Sequence, residues 1–439
     1  MLKVSRTWTN ENSMGLRTRS LEKRDPSQMQ PNKNCTVTEH VNGGLRVLFS
    51  AVSAKSGGSA VYIKNLSRCR TLKESPHQFI FLVPPGLANT LGELSANIHV
   101  IATRAGLGSP WKRFLWDQLV LRRIVNEQKI DVLVSASDFG MFLPPCREIL
   151  MIGNSLYFSS FYSKQIRRRK SFKFRVQLFL RRCLVSLSVM SAKVVITPSQ
   201  SMMALMRQVI PSLDGKALVN YLGVPMELFS SRPSSNDGEC KVNGGKRFRI
   251  LYVSEYNDHK NLTVLLDAVL ILREQGIDDC LLVSTVDPWQ FPDVEIVTRK
   301  EDHALAVHPL ISPFVKFTGL VPYEDVPKLY AQSDLFVFPS LTESFGYPLV
   351  EAMASGLPVL AADIPICREI CGEAAIYFNP LNAEDVAQGI ITLRDDPERR
   401  KELGALGRKR AIEQFEWRDH VKRLLELIDM TAKEKKQLR

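Results

Sequence analysis

Long apolar runs are the first thing this 439-residue sequence lacks. No stretch approaches the ~18 apolar residues that a membrane-spanning helix requires. The N-terminus, MLKVSRTWTNENSMGLRTRS, has no apolar core of the kind a secretory signal needs. Its arginines and serines suit a transit peptide, but Glu11, Glu22, Asp25 and the scarcity of apolar residues weigh against one. The eight cysteines form no C-x-x-C pair and have no histidine at metal-ligand spacing. Cys367 and Cys371, the nearest pair, fit two half-buried thiols on one helix face. Reduced thiols without a span point to a cytoplasmic protein. No G-x-G-x-x-G is present, which leaves a dinucleotide cofactor unsupported. No D-x-D-like acidic cluster follows a strand, so no metal is expected.

What is present is an ordinary globular composition, 45% hydrophobic, long enough for two or three domains at ~150 residues each. The net charge of +12 calls for an anionic partner: nucleotide, membrane surface or nucleic acid. Residues 1–44 are polar and aperiodic and read as a disordered or loosely attached tail. Leu45–Phe49 is the first convincing strand. It leads into the turn Ser53-Ala54-Lys55-Ser56-Gly57-Gly58-Ser59 and a helical pattern through Ala60–Leu66. Strand, glycine-rich turn and helix open a Rossmann-like domain, and Gly57 and Gly58 let backbone approach a ligand closely, unless they make only a tight turn.

Further strands are expected at Phe79–Val83, Ile98–Ala102, Val132–Ser135, Leu150–Ile152 and Val194–Thr197, alternating with helices such as Lys112–Gln128. That alternation predicts a parallel sheet covered by helices. Asp138 and Asn154 each follow a strand end, where polar side chains line a cleft or simply form turns. Lys164–Arg182, KQIRRRKSFKFRVQLFLRR, carries no acidic residue. It suits an amphipathic helix on an anionic bilayer, a nucleic-acid contact, or a solvated helix whose phenylalanines are core. No recognised nucleic-acid motif accompanies it, and no nucleic-acid partner is expected. Residues 230–246 are small and polar, a linker by composition. Beyond them come strands at Arg249–Val253, Leu281–Ser284 and Val315–Thr318.

The chain is organised around Asp334–Asp363, DLFVFPSLTESFGYPLVEAMASGLPVLAAD. Leu335–Phe338 is a buried parallel strand by length and apolarity. A polar loop follows, then a helix from Tyr347 with Pro348 in its first turn, stopped at Gly356 and Pro358. Val359–Ala362 is the next strand. Glu343 in the loop and Glu351 in the helix are carboxylates that accept hydrogen bonds from sugar or ribose hydroxyls, beside a helix start that holds phosphate. On the residues alone this is a nucleotide-sugar site, or a loop charge and a solvated helix residue.

The wording PSLTESFGYPLVEAMASGLPVLAAD resembles the E-x(7)-E signature of the retaining glycosyltransferases of family 4, the group 1 glycosyltransferases. The resemblance runs from about Leu45 to the C-terminus and is strongest after Ile250. It implies an α/β protein of the GT-B type, two Rossmann-like domains with parallel sheets facing a cleft. The domains would be 45–229 for the acceptor and 247–410 for the donor, with 411–439 crossing back as a helix. Glu343 would contact the donor sugar and act in catalysis with Lys260, which matches the family's phosphate-binding lysine. Glu351 would hold the ribose, Phe345, Gly346 and Tyr347 the donor around it, and Gly319 and Val321 the base. Gly57 and Gly58 would face the cleft, and Asp138 and Asn154 the acceptor. Five residues before Lys260 the family usually has Arg, and here stands Glu255. His259 fits an exposed loop histidine better than a proton shuttle.

The implied activity is retaining transfer of a hexose, mannose among the candidates. It would pass from a nucleotide sugar to a saccharide or lipid-linked acceptor in cell-surface polysaccharide or glycoconjugate synthesis. No cofactor is needed, since the nucleotide sugar is a substrate. The setting would be cytoplasmic, with peripheral contact to the inner membrane face through 164–182. A non-catalytic nucleotide-sugar-binding protein and a sugar epimerase or phosphorylase on the same fold are the alternatives.

Overall fold

The computed structural model describes residues 44–55, 57–107, 110–169, 171–213, 215–229, 241–242, 245–289 and 300–433. The expected tail, 1–44, lies outside the described residues except for Gly44. So does most of the expected linker, apart from a short hairpin pairing 241–242 with 245–246.

Two parallel sheets lie within one compact unit, residues 42–439. The first has β1 (Arg46–Ser50), β2 (Gln78–Val83), β3 (Ile98–Ala102), β4 (Val132–Ser135), β5 (Arg147–Met151), β6 (Val194–Thr197) and β7 (Ala217–Val219). Their order is β3-β2-β1-β4-β5-β6-β7, with Val47 of β1 opposite Phe79 and Val132. The second has β8 (Phe248–Tyr252), β9 (Cys280–Ser284), β10 (Val315–Phe317), β11 (Leu335–Phe338), β12 (Val359–Ala362) and β13 (Ala375–Phe378). Their order is β10-β9-β8-β11-β12-β13. Strands such as Leu335–Phe338 are apolar throughout because helices cover both faces, and all four side chains are fully buried.

The helices that bear on the site are α1 (Gly57–Arg68), α2 (Ser160–Arg169), α3 (Phe172–Ser191), α4 (Gln200–Arg207), α5 (Leu262–Glu274), α6 (Tyr347–Ala354), α7 (Pro365–Cys371) and α8 (Trp417–Lys433). Trp417, Val421, Leu424 and Ile428 recur at helical spacing on α8 and are buried in the core of the first sheet. His420 anchors the same face, its Nδ1 2.9 Å from the Tyr221 carbonyl and its Nε2 3.1 Å from the Tyr62 hydroxyl.

Several local expectations need correction. β5 starts at Arg147 rather than Leu150, because Glu148 is buried in it, accepting from Ser135 Oγ at 2.6 Å and the Met141 amide at 3.0 Å. β7 was not expected; three residues at a sheet edge leave little pattern. The expected helix Lys112–Gln128 holds a π-helical turn, Asp117–Leu121. Asp117 there is buried against Arg113 Nε at 2.6 Å. The basic segment is not one helix but two, α2 and α3, parted at Ser171, whose Oγ accepts from the Phe174 amide at 3.3 Å. Its phenylalanines are not core: Phe172 is 74% and Phe179 63% exposed. Cys367 and Cys371 are fully buried on α7, and burial pushes the Cys371 thiol up to about 12.

Candidate functional site

In each sheet the order reverses beside the first strand, between β1 and β4 and between β8 and β11. Connections from those neighbours leave on opposite faces and open a crevice beyond the carboxyl ends of the strands. Loops following all four strands line one cavity of about 840 Å³. That topology brings together residues from both halves of the chain.

At the centre, Lys260 Nζ lies 2.6 Å from Glu343 Oε1, both side chains mostly buried. The loop after β8 ends in a turn, Asp258–Lys260, held by the Tyr252 hydroxyl donating to the Lys260 carbonyl at 2.6 Å. Asn261 then takes a left-handed conformation and donates to the carbonyls of Pro339 and Pro380, tying the start of α5 to the Glu343 loop. Burial pushes the Glu343 carboxyl up, but the Lys260 ammonium beside it prevails and holds it below its ordinary value. It is an ionised acceptor at neutral pH.

Gly346 precedes α6 at φ +83, a conformation that suits glycine. Glu351, one turn into α6, is 4% exposed and accepts from the Tyr330 hydroxyl at 2.9 Å. It is therefore no solvated helix residue. Burial pushes its carboxyl up to about 7, against the opposing Tyr330 hydrogen bond. Tyr347 packs its ring over Gly58, where an added Cβ would lie 3.3 Å away. The Tyr347 hydroxyl is buried without a hydrogen-bond partner among the described residues. Buried polar groups in this state are where a ligand's hydrogen-bonding group is accommodated.

The other expected residues fall as follows. Gly57 and Gly58 open α1 at the cavity wall, and Val321 lines it; Gly319, at φ +65, stands behind near Asp287. The Phe345 ring is buried edge-on against Tyr347 and Phe415, so it holds the loop. Asp138, at φ +64, accepts from the amides of Gly153 (2.8 Å) and Asn154 (3.2 Å), and burial pushes its carboxyl up to about 6. Asn154 caps the short turn Ser155–Tyr157 by accepting from the Leu156 amide at 3.1 Å. Both border the cavity from the first sheet's side. His259 is not an exposed histidine: it is half-buried, with Nδ1 2.9 Å from Asn257 Oδ1. Burial and then Lys260 push it down to about 4, so it is neutral.

Sequence reasoning missed the partners that fix these groups. Tyr330 lies on a separate helix, and no local spacing announces its contact with Glu351. Ser199 caps α4, accepting from the Met202 amide at 3.0 Å. Unexpectedly it also donates to the Ser344 carbonyl at 2.6 Å, beside Glu343. Glu369 of α7 accepts from the Gln200 and Ser201 amides at 2.7 and 2.6 Å, so one half of the chain caps a helix of the other. Among the described residues no group of three His, Cys, Asp or Glu could hold a metal ion. None of their helices is long and apolar enough to cross a membrane.

Comparison with known proteins gives matches for the second half of the chain and for the whole fold. The family model of group 1 glycosyl transferases matches residues 239–410. O-antigen chain mannosyltransferase B of Escherichia coli is 31% identical over 170 residues, 38% of this chain and 42% of its own. An MMP alpha-(1->4)-mannosyltransferase of Mycolicibacterium hassiacum is 30% identical over 200 residues, 45% of this chain and 44% of its own. The chain thus spans less than half the length of these curated relatives. Among solved structures, sucrose-phosphate synthase from Thermosynechococcus elongatus aligns with a TM-score of 0.68 at 18% identity, over 88% of this chain and 98% of that one. Anabaena Alr3699/HepE, solved in complex with UDP-glucose, aligns with a TM-score of 0.65 at 18% identity, over 88% and 100%. At that identity the structural likeness speaks for the fold alone, and the fold is GT-B. Residues 239–410 therefore carry the likeness to the group 1 glycosyl transferases, and the likeness of fold extends over most of the chain.

Proposed function

We propose that the protein is a retaining glycosyltransferase. It would move a hexose, with mannose the first to test, from a nucleotide sugar to a hydroxyl of a saccharide or lipid-linked acceptor in cell-surface glycan synthesis. The observation that carries this is the convergence of the Lys260–Glu343 pair and the buried Glu351 on one cavity beside the start of α6. Glu351 accepts from ribose hydroxyls and Glu343 from the donor sugar. Lys260 and the amides at the start of α6 support the diphosphate as it leaves. The acceptor hydroxyl approaches from the side of Asp138 and Asn154. Its oxygen bonds the anomeric carbon on the face from which the diphosphate departs, and its proton passes to the departing phosphate oxygen. Catalysis is then positioning and electrostatic support, with no metal or cofactor assigned. The outward face of α3, with exposed Phe172, Val176 and Phe179 among Lys173 and Arg175, would hold the protein on the anionic cytoplasmic face of a membrane.

The test is release of nucleoside diphosphate from a panel of UDP-, GDP- and ADP-hexoses, with and without oligosaccharide acceptors. Acceptor-dependent release, lost in Lys260→Ala and Glu343→Gln, is the expected result. Conversion of the donor without acceptor would move the reading to an epimerase. Binding without any turnover would make it a binding protein.

A further inference from the structure

Glu255 is where this cleft departs from what its own chemistry asks for. Its loop is pinned on both sides. The Ser254 amide donates to Thr285 Oγ1 at 2.9 Å, and the buried Tyr256 donates its hydroxyl to Asp302 at 2.8 Å. Between those anchors the Glu255 side chain crosses to the opposite sheet's loop. A Cβ on Gly57 would meet its Cδ and both carboxylate oxygens at 3.0 Å. Gly57 opens the twelve-residue α1, which has no acidic residue in its first turn. The cavity lining holds Lys55, Lys64 and Lys260 against Asp138, Glu255, Glu343 and Glu351, and Lys260 is already paired with Glu343. A diphosphate entering this cavity meets more carboxyl than ammonium groups.

We propose that Glu255 is a specificity-determining gate on the donor's phosphates: its carboxylate occupies space beside Gly57 that a donor diphosphate needs, and donor binding displaces it. The gate rests on the donor-binding reading above. It discriminates by charge, because a carboxylate repels the negative charges of a diphosphate, one on each phosphate of a nucleotide sugar, and leaves an uncharged nucleoside indifferent. It also favours a donor with enough sugar and ribose contacts to offset the displacement.

Calorimetric titration with UDP, GDP and the matching nucleosides tests it on the full chain, wild type against Glu255→Gln, with Glu255→Arg as a second variant. The expected result is diphosphate affinity about tenfold tighter in Glu255→Gln, tighter still in Glu255→Arg, and nucleoside affinity unchanged. Equal diphosphate affinity in wild type and both variants overturns the gate and leaves the donor reading standing. Weaker diphosphate binding in Glu255→Gln also overturns it, making Glu255 a ligand contact instead. No diphosphate binding in any of the three proteins overturns the gate and the donor reading together.

Discussion

Replacing Glu351 by Gln should stabilise the protein at pH 8 while removing its hold on nucleotide. Burial raises the Glu351 carboxyl to about 7 from an ordinary 4.5. Below pH 4.5 both folded and unfolded chains carry the proton. Between 4.5 and 7 only the folded chain does, so stability falls as pH rises through that window. The gap corresponds to ~3 kcal/mol of cost above pH 7. Gln keeps the shape and can still accept from Tyr330, but its amide protons need partners, returning ~1 kcal/mol. The net gain is ~2 kcal/mol, a rise in Tm of roughly 4–8 °C for domains of this size. Scanning fluorimetry of both proteins at pH 5 and pH 8 measures it. At pH 5, only half a unit above the unfolded value, the cost is ~1 kcal/mol and is matched by the ~1 kcal/mol lost to the Gln amide, so the difference should vanish. A difference equal at the two pH values, or a loss at pH 8, would refute the account of Glu351 as a charge buried at a cost. In the ligand-bound experiment the sign reverses. The nucleoside diphosphate that stabilises wild type should leave Glu351→Gln nearly unmoved, which is the signature of a residue kept for binding at the expense of stability.

How far the sequence foretold this site depends on the distance over which each contact acts. The unit β11–α6–β12 was legible because its signals are local: an apolar run, Pro348 in the first turn, Gly356 and Pro358 at the stop. The burial of Glu351 was not legible, since a lone Glu on an eight-residue helix looks the same whether Tyr330 or water receives it. The Lys260–Glu343 pair joins residues 83 apart and exists because β8 and β11 are neighbours at a reversal of strand order. Resemblance placed both residues at a donor site; their mutual ion pair came only with the fold. Glu148 hid a strand start for a related reason: a buried carboxylate reads as a surface residue until its two donors are known. The basic run misled in the opposite direction. Its charge pattern continues smoothly across Ser171, and only the cap there shows that the backbone does not.

Three further outcomes follow from contacts elsewhere. Lys260→Ala should leave Glu343 buried without its cation, raise that carboxyl's pKa, and lower turnover by 10²-fold or more; nucleotide-sugar kinetics and a pH profile check both. Glu369→Ala should cost ~1 kcal/mol by leaving the Gln200 and Ser201 amides without their acceptor, although Ser199 still caps α4, and should loosen the closure between the two sheets. Faster proteolysis near residue 200, against an unchanged rate near residue 390, would bear this out. The membrane reading of α3 is tested by Phe172→Ser combined with Phe179→Ser. Phe172, Val176, Phe179, Leu187 and Met190 fall on one outward face, while Val185 and Val189 turn inward. No Asp or Glu occurs between Glu148 and Asp214, so no acidic side chain on this part of the chain opposes an anionic surface. Each phenylalanine moved from water into the acyl boundary contributes ~2 kcal/mol, and each nearby cation ~1 kcal/mol. Losing both rings should therefore weaken cosedimentation with phosphatidylglycerol vesicles by 10²-fold or more, with no change in turnover on a soluble acceptor. Wild-type protein that ignores anionic vesicles, or binds phosphatidylcholine equally well, would remove the bilayer as the partner. Both rings are exposed already, so a fall in Tm in the double variant would show that the face is covered by something else.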